Sequence, residues 1–152
     1  MQTIHPFLWF NDNLEDVIAY YLEVFKDSEV LEKREHYDGP LKGKLFQATF
    51  RLNDLIFMAI NGGPYVKFSG AVSFLVSCDS QEELDYYYDT LGKDGKIENC
   101  GWLVDKFGVT WQIVPKQLMN LLGSSDLEKV GRVTRAMLHM ERLNIEQLLK
   151  VE

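Results

Sequence analysis

The 152-residue sequence predicts an α+β protein built from two copies of a βαβββ unit, followed by a helical tail. Three observations carry that prediction. Strand-like and helix-like apolar periodicities alternate in the order βαβββ, the order restarts near residue 71, and capping signals open the helices. Shifting the first unit by 66 residues lays Tyr20-Tyr21 on Tyr86-Tyr87, Ile18 on Leu84, Phe25 on Leu91 and Phe10 on Val76. Such a repeat is one supersecondary unit used twice.

"IHPFLWF", residues 4–10, is an apolar run of strand length. Leu14, Val17, Ile18, Tyr21, Leu22 and Phe25 then recur at helical spacing. Asn13 is placed to cap this helix, and Glu15 and Asp16 complement its dipole. Residues 28–37, 43–53 and 55–61 read as strands, with Asn53-Asp54 as the hairpin turn between the last two. Asn61-Gly62-Gly63-Pro64 turns the chain out.

The second unit opens with "AVSFLVSC", residues 71–78. Ser80-Gln81-Glu82-Glu83 is a capping box for a helix with Leu84, Tyr87, Tyr88 and Leu91 on one face. Short strands are expected near 96–100 and 101–105, and Asp105-Lys106-Phe107-Gly108 turns the chain into "VTWQIVP". In the tail, Ser125-Asp126-Leu127-Glu128 reads as another capping box, before a stripe of Leu127, Val130, Thr134, Met137 and Leu138. Asn144 caps a last short helix expected to turn Ile145, Leu148 and Leu149 inward. The expected boundaries are 1–66 for the first unit, 67–116 for the second and 117–152 for the helical extension.

A net charge of −7 without a dense Lys/Arg run argues against nucleic-acid binding. No apolar stretch is long enough to span a membrane, and "MQTIHPFLWF" lacks the basic and apolar regions of a signal peptide. Cys78 and Cys100 make no disulfide framework. A cytoplasmic, reduced setting is expected.

The repeated units, together with "PFLWF", "NGGP", "KF", "CGWLVDKFGVTWQIVP" and "AMLHM", resemble the PhnB-like branch of the vicinal oxygen chelate superfamily, which includes glyoxalase I, bleomycin-resistance proteins and extradiol dioxygenases. The resemblance implies a glyoxalase-like fold, in which paired βαβββ modules form a cupped mixed sheet facing a common cavity, and a homodimer. It also implies metal-ligand positions on the first and last strands of each unit. Here those positions hold His5, Ala59 (or Met58, one register step away), Ser73 (or Ala71) and Gln112. An imidazole, an aliphatic group, a hydroxyl and a neutral amide suit neither zinc nor the harder divalent ions. Neither a metal nor another cofactor is therefore expected. PhnB-like sequences often carry a demethylubiquinone methyltransferase label. The glycine-rich strand-to-helix turn that holds S-adenosylmethionine is missing from this sequence, which argues against that activity.

On the implied concave face, strand alternation groups Phe7 and Trp9 with His5, adds Phe57, Ala59 and Asn61, and brings in Ser73, Leu75, Thr110 and Gln112. Trp9 suits the wall of a pocket for a small apolar or planar molecule, and Asn61, Ser73, Thr110 and Gln112 supply neutral hydrogen-bonding groups. His5 is the candidate general base, since imidazole titrates near neutrality. Trp111 and Cys78 belong with the core by the same alternation. The leading expectation is a metal-free small-molecule binding protein. The alternative is a lyase or isomerase using His5 or an unusually bound divalent metal. A third reading is a dimeric interaction module, motivated by Arg132, Arg135, His139 and Arg142 in the tail.

Overall fold

The computed structural model describes residues 2–151. The chain divides into two compact units, the first ending at Lys67 and the second beginning at Phe68. The first unit runs β1 (Phe7–Phe10), α1 (Leu14–Val24), β2 (Ser28–Glu35), β3 (Leu45–Leu52) and β4 (Leu55–Asn61). Its sheet has the order β1-β4-β3-β2, with β1 and β4 parallel and the other neighbours antiparallel. The second unit starts with β5 (Phe74–Cys78), α2 (Gln81–Gly92), β6 (Lys96–Ile97), β7 (Trp102–Val104) and β8 (Thr110–Pro115). It repeats the order as β5-β8-β7-β6, again with one parallel pair, β5 and β8. Two four-stranded mixed sheets of identical connectivity make this a glyoxalase-like α+β fold of two βαβββ modules.

In the first unit, α1 packs on β3 and β4 and buries Leu14, Val17, Ile18, Tyr21 and Val24. Leu8, Ala48, Phe50, Leu52, Phe57 and Ala59 are buried opposite. Phe50 and Phe57 are direct cross-strand partners and stack with centroids 5.6 Å apart. The hairpin between β3 and β4 turns at Asn53, whose φ of 50° is one that asparagine tolerates.

In the second unit, Glu83 N–H donates to Ser80 Oγ at 3.2 Å, which closes the first half of the capping box. The returning Glu83 carboxylate accepts from Asp79 N–H at 2.7 Å, one residue earlier than the usual box. Leu84, Tyr87, Tyr88 and Leu91 are buried, as the periodicity predicts.

The tail differs from its sequence reading. Helix α3 (Lys116–Leu122) leaves β8 directly and has no counterpart there. The cap of α4 (Leu127–Leu138) is Asp126 rather than Ser125, its carboxylate accepting from Glu128 N–H at 3.1 Å and Lys129 N–H at 3.0 Å. Helix α4 packs against α3 and α5 (Ile145–Lys150) through its middle, so Val133 is buried while Leu127 and Leu138 at its ends are exposed. Only Leu148 of α5 is fully buried, and Leu149 faces out. Among the described residues, no helix is long and apolar enough to cross a membrane.

Candidate functional site

The first unit holds a cavity of about 660 Å³ where β1 and β4 end and α1 begins. One wall is aromatic and aliphatic: Trp9, Phe46, Ile60 and Tyr65. Asp12, Glu15, His36 and Lys44 bring charge or titratable groups to its border. The wall depends on the turn after β4. Trp9 Nε1–H donates to the Gly63 carbonyl at 3.0 Å, which lays the indole across Gly62. A Cβ at Gly62 would lie 2.2 Å from the indole Cε2, far inside contact distance. The glycine is needed here for close approach rather than for conformational freedom. Gly62→Ala is therefore expected to push Trp9 out of place, costing about 1–3 kcal/mol from overpacking. A changed tryptophan near-UV circular dichroism signal with an intact fold would report it.

The loop from residue 36 to 44 closes another side. His36 N–H donates to the Lys44 carbonyl at 2.9 Å, and Gly43 N–H donates to the His36 carbonyl at 3.0 Å. These bonds hold the His36 ring against Phe46, 4.7 Å between centroids. His36, Lys44, Phe46 and Tyr65 are absent from the sequence-predicted site. The turn chemistry of Gly39-Pro40 and of Gly62-Gly63-Pro64 is the signal that marks their segments as rim loops.

Two predicted residues of β4 lie in the core on the other side of the sheet. Phe57 is 2% exposed and Ala59 is 0% exposed, both in the core beneath α1. The β1–β4 register pairs Phe7 with Met58 and Trp9 with Ile60, so Met58 and Ile60 share the open face. Nearly every residue of "LIFMAIN" is apolar, so alternation cannot tell the faces of this central strand apart.

Asn61, at the end of β4, reaches the cavity border. Its Oδ1 accepts from Leu14 N–H at 3.0 Å, and its Nδ2 donates to the Leu45 carbonyl at 3.0 Å and to Glu15 Oε2 at 3.4 Å. It satisfies an unpaired amide of the first turn of α1, where the Asn13 side chain makes no capping bond. Asn61 borders the cavity but is committed to holding the helix.

Phe7 and Trp9 lie on the less covered face of β1, 52% and 37% exposed. His5 sits half-buried just before that strand. Gln2 steadies the same edge, its amide bonding the carbonyl and N–H of Ile56 at 2.9 and 3.0 Å. In the second unit, Leu75 pairs with Gln112 in the parallel register, and Gln112 Nε2 donates to Ser73 Oγ at 2.8 Å. Thr110 is buried at the start of β8. Trp111 faces the opposite side, where its indole N–H donates to Asp105 Oδ2 at 2.8 Å.

The donor set tests poorly for a metal. Within the first unit, the register puts the thioether of Met58 rather than Ala59 on the open face, with His5 as the one imidazole nearby in sequence. Within the second, Ser73 and Gln112 offer a hydroxyl and a neutral amide, and neither group suits a divalent cation. Among the described residues, no three His, Cys, Asp or Glu side chains are grouped to hold one. Nor is Cys78 a nucleophile. Burial pushes its thiol up to about 12, with the Glu83 and Asp79 carboxylates adding to the rise and Lys116 opposing it. The thiol stays protonated until the pH approaches that value. Iodoacetamide at pH 8 is expected to leave Cys78 intact in the native protein and to alkylate it in urea, as peptide mass mapping would show.

The sequence model of a family described as 3-demethylubiquinone-9 3-methyltransferase matches residues 2–114. No functionally curated protein matches the sequence. Among solved structures, the PhnB protein from Bacillus cereus is 33% identical, with a TM-score of 0.69 over 75% of this chain and 99% of that one. Protein PA1353 from Pseudomonas aeruginosa is 22% identical, with a TM-score of 0.64 over 76% of this chain and 98% of that one. The fosfomycin resistance protein FosX from Listeria monocytogenes is 15% identical and shares the fold, with a TM-score of 0.54 over 86% of this chain and 98% of that one.

Proposed function

The chain belongs to the PhnB-like family of the vicinal oxygen chelate superfamily, and we propose that it binds a small apolar or planar molecule without a catalytic metal. The carrying observation is the cavity wall of the first unit. Trp9 is pinned by the Gly63 carbonyl, so a large aromatic surface is held ready before any ligand arrives. Holding the wall in place beforehand reduces the ordering cost of binding.

Methyl transfer, the activity in the family's description, is not part of this proposal. The strand-to-helix turns after β1 and β5 are Asn11-Asp12-Asn13 and Asp79-Ser80, without a glycine that would let a backbone cradle a methyl donor. Gly62 and Gly63 follow β4, and no helix comes next. Elemental analysis of tag-free protein, paired with a calorimetric titration of S-adenosylmethionine, tests both halves. The expected result is substoichiometric metal and no binding heat. Stoichiometric zinc, nickel, manganese or iron would turn the reading toward a metal-dependent lyase or isomerase, and saturable binding of the methyl donor would restore the methyltransferase.

A further inference from the structure

The structure assigns a second binding site, for a phosphate-bearing anion, to the groove between α4 and α5. The groove is shallow and open to solvent, about 540 Å³, and is lined by Arg132, Arg135, Ala136, His139, Lys150 and Val151. Both helices lie beyond residues 2–114, so nothing in the family match places a site there.

Arg132, Arg135 and His139 stand three and four residues apart on α4 and its C-terminal end, and therefore share one face. The small side chain of Ala136 leaves the floor between them open. Arg132, His139 and Lys150 are each held from behind. Arg132 Nε donates to the Val151 carbonyl at 3.1 Å, which leaves its two terminal nitrogens as donors. His139 Nδ1 lies 2.7 Å from the Arg135 carbonyl. A carbonyl only accepts, so the proton sits on Nδ1, and Nε2 of the neutral ring is an acceptor that suits the P–OH of a hydrogen phosphate rather than a bare oxygen. Lys150 is braced by Glu146 at 2.6 Å.

The arginines elsewhere in the chain mark the groove as different. Arg34 faces Glu32, Arg51 faces Asp27 and Glu29, and Arg142 faces Asp85 and Asp89. Arg132 and Arg135 have no carboxylate partner among the described residues, although the chain carries 23 acidic residues and a net charge of −7. Two guanidinium groups side by side repel each other unless an anion lies between them. Their forked donors fit the oxygens of a phosphate, and Ala136 and Val151 offer apolar surface to whatever the phosphate is attached to.

Inorganic phosphate is the probe, titrated calorimetrically at low salt. Glu152 follows Val151 in the sequence and lies outside the described residues, so the titration is run on the native chain and on E152Q. One-to-one binding in at least one of them is expected, weakening as salt rises. In the matching R135Q variant, which keeps the Arg132–Val151 contact, the affinity should fall by about tenfold or more with an unchanged melting temperature. Absence of saturable heat in both chains, equal affinity in R135Q, or the same heat from acetate at equal ionic strength would overturn the assignment.

Discussion

Replacing Asp105 by alanine is expected to destabilise the second unit by about 3–5 kcal/mol, measured by urea denaturation. Asp105 is 3% exposed, and both of its oxygens are used. Oδ1 accepts from Phe107 N–H at 2.9 Å and Val109 N–H at 3.0 Å, and Oδ2 accepts from the Trp111 indole at 2.8 Å. Truncation would strand three donors around a buried site, and each is worth more because the acceptor is charged. Asp105→Asn should recover only part of the loss. Its amide oxygen can still serve the two backbone groups, but its NH₂ would meet the Trp111 N–H donor to donor. A loss below about 1 kcal/mol in the alanine variant would mean that these donors find other acceptors.

Leu143→Ala is expected to cost about 2–5 kcal/mol, a large share of a typical domain's stability. Leu143 is 0% exposed in the tail. Around it the chain is fastened to the sheet and to α2: Cys100 N–H and Gly101 N–H donate to the Met140 and Glu141 carbonyls, each at 2.7 Å. Gln81 bonds the Leu143 carbonyl at 3.1 Å and the Ile145 N–H at 2.9 Å. Arg142 lies over the Tyr88 ring at 4.5 Å and pairs with Asp85 at 3.2 Å. Gly101 permits this docking, with a φ of 79° and no room for a Cβ, which would lie 2.6 Å from the Ile113 carbonyl oxygen. The tail is thus part of the second unit's core. A chain ending at residue 126 that kept full stability would contradict this and favour the interaction-module reading.

The elements that announced themselves in the sequence are those whose two faces differ. In α1 and α2, apolar residues at helical spacing face the sheet while charges cover the rest, so both face and extent are readable. The β8 strand is similarly readable, because Gln112 interrupts the apolar run Trp111 to Pro115 and fixes which face is which. β4 defeats the same logic, since Phe57, Met58, Ala59 and Ile60 offer no polar member to fix the register. That one-residue ambiguity put Phe57 and Ala59, both core residues, on the open face, while Asn61 at the strand's end does border the cavity. The rim was hidden for another reason. His36, Lys44 and Tyr65 reach the cavity through loop closure, and no local periodicity encodes which loops meet. Trp9 is legible because alternation along the first strand sets it on the same face as His5 and Phe7.

Calorimetric titration of chelator-treated protein with uncharged bicyclic and tricyclic aromatic compounds tests the central claim most directly. At least one compound is expected to bind one-to-one, unaffected by chelator, with affinity reduced by about tenfold or more in Trp9→Ala. Binding that requires added divalent metal, or that is unchanged in Trp9→Ala, would contradict a metal-free site built on the Trp9 wall.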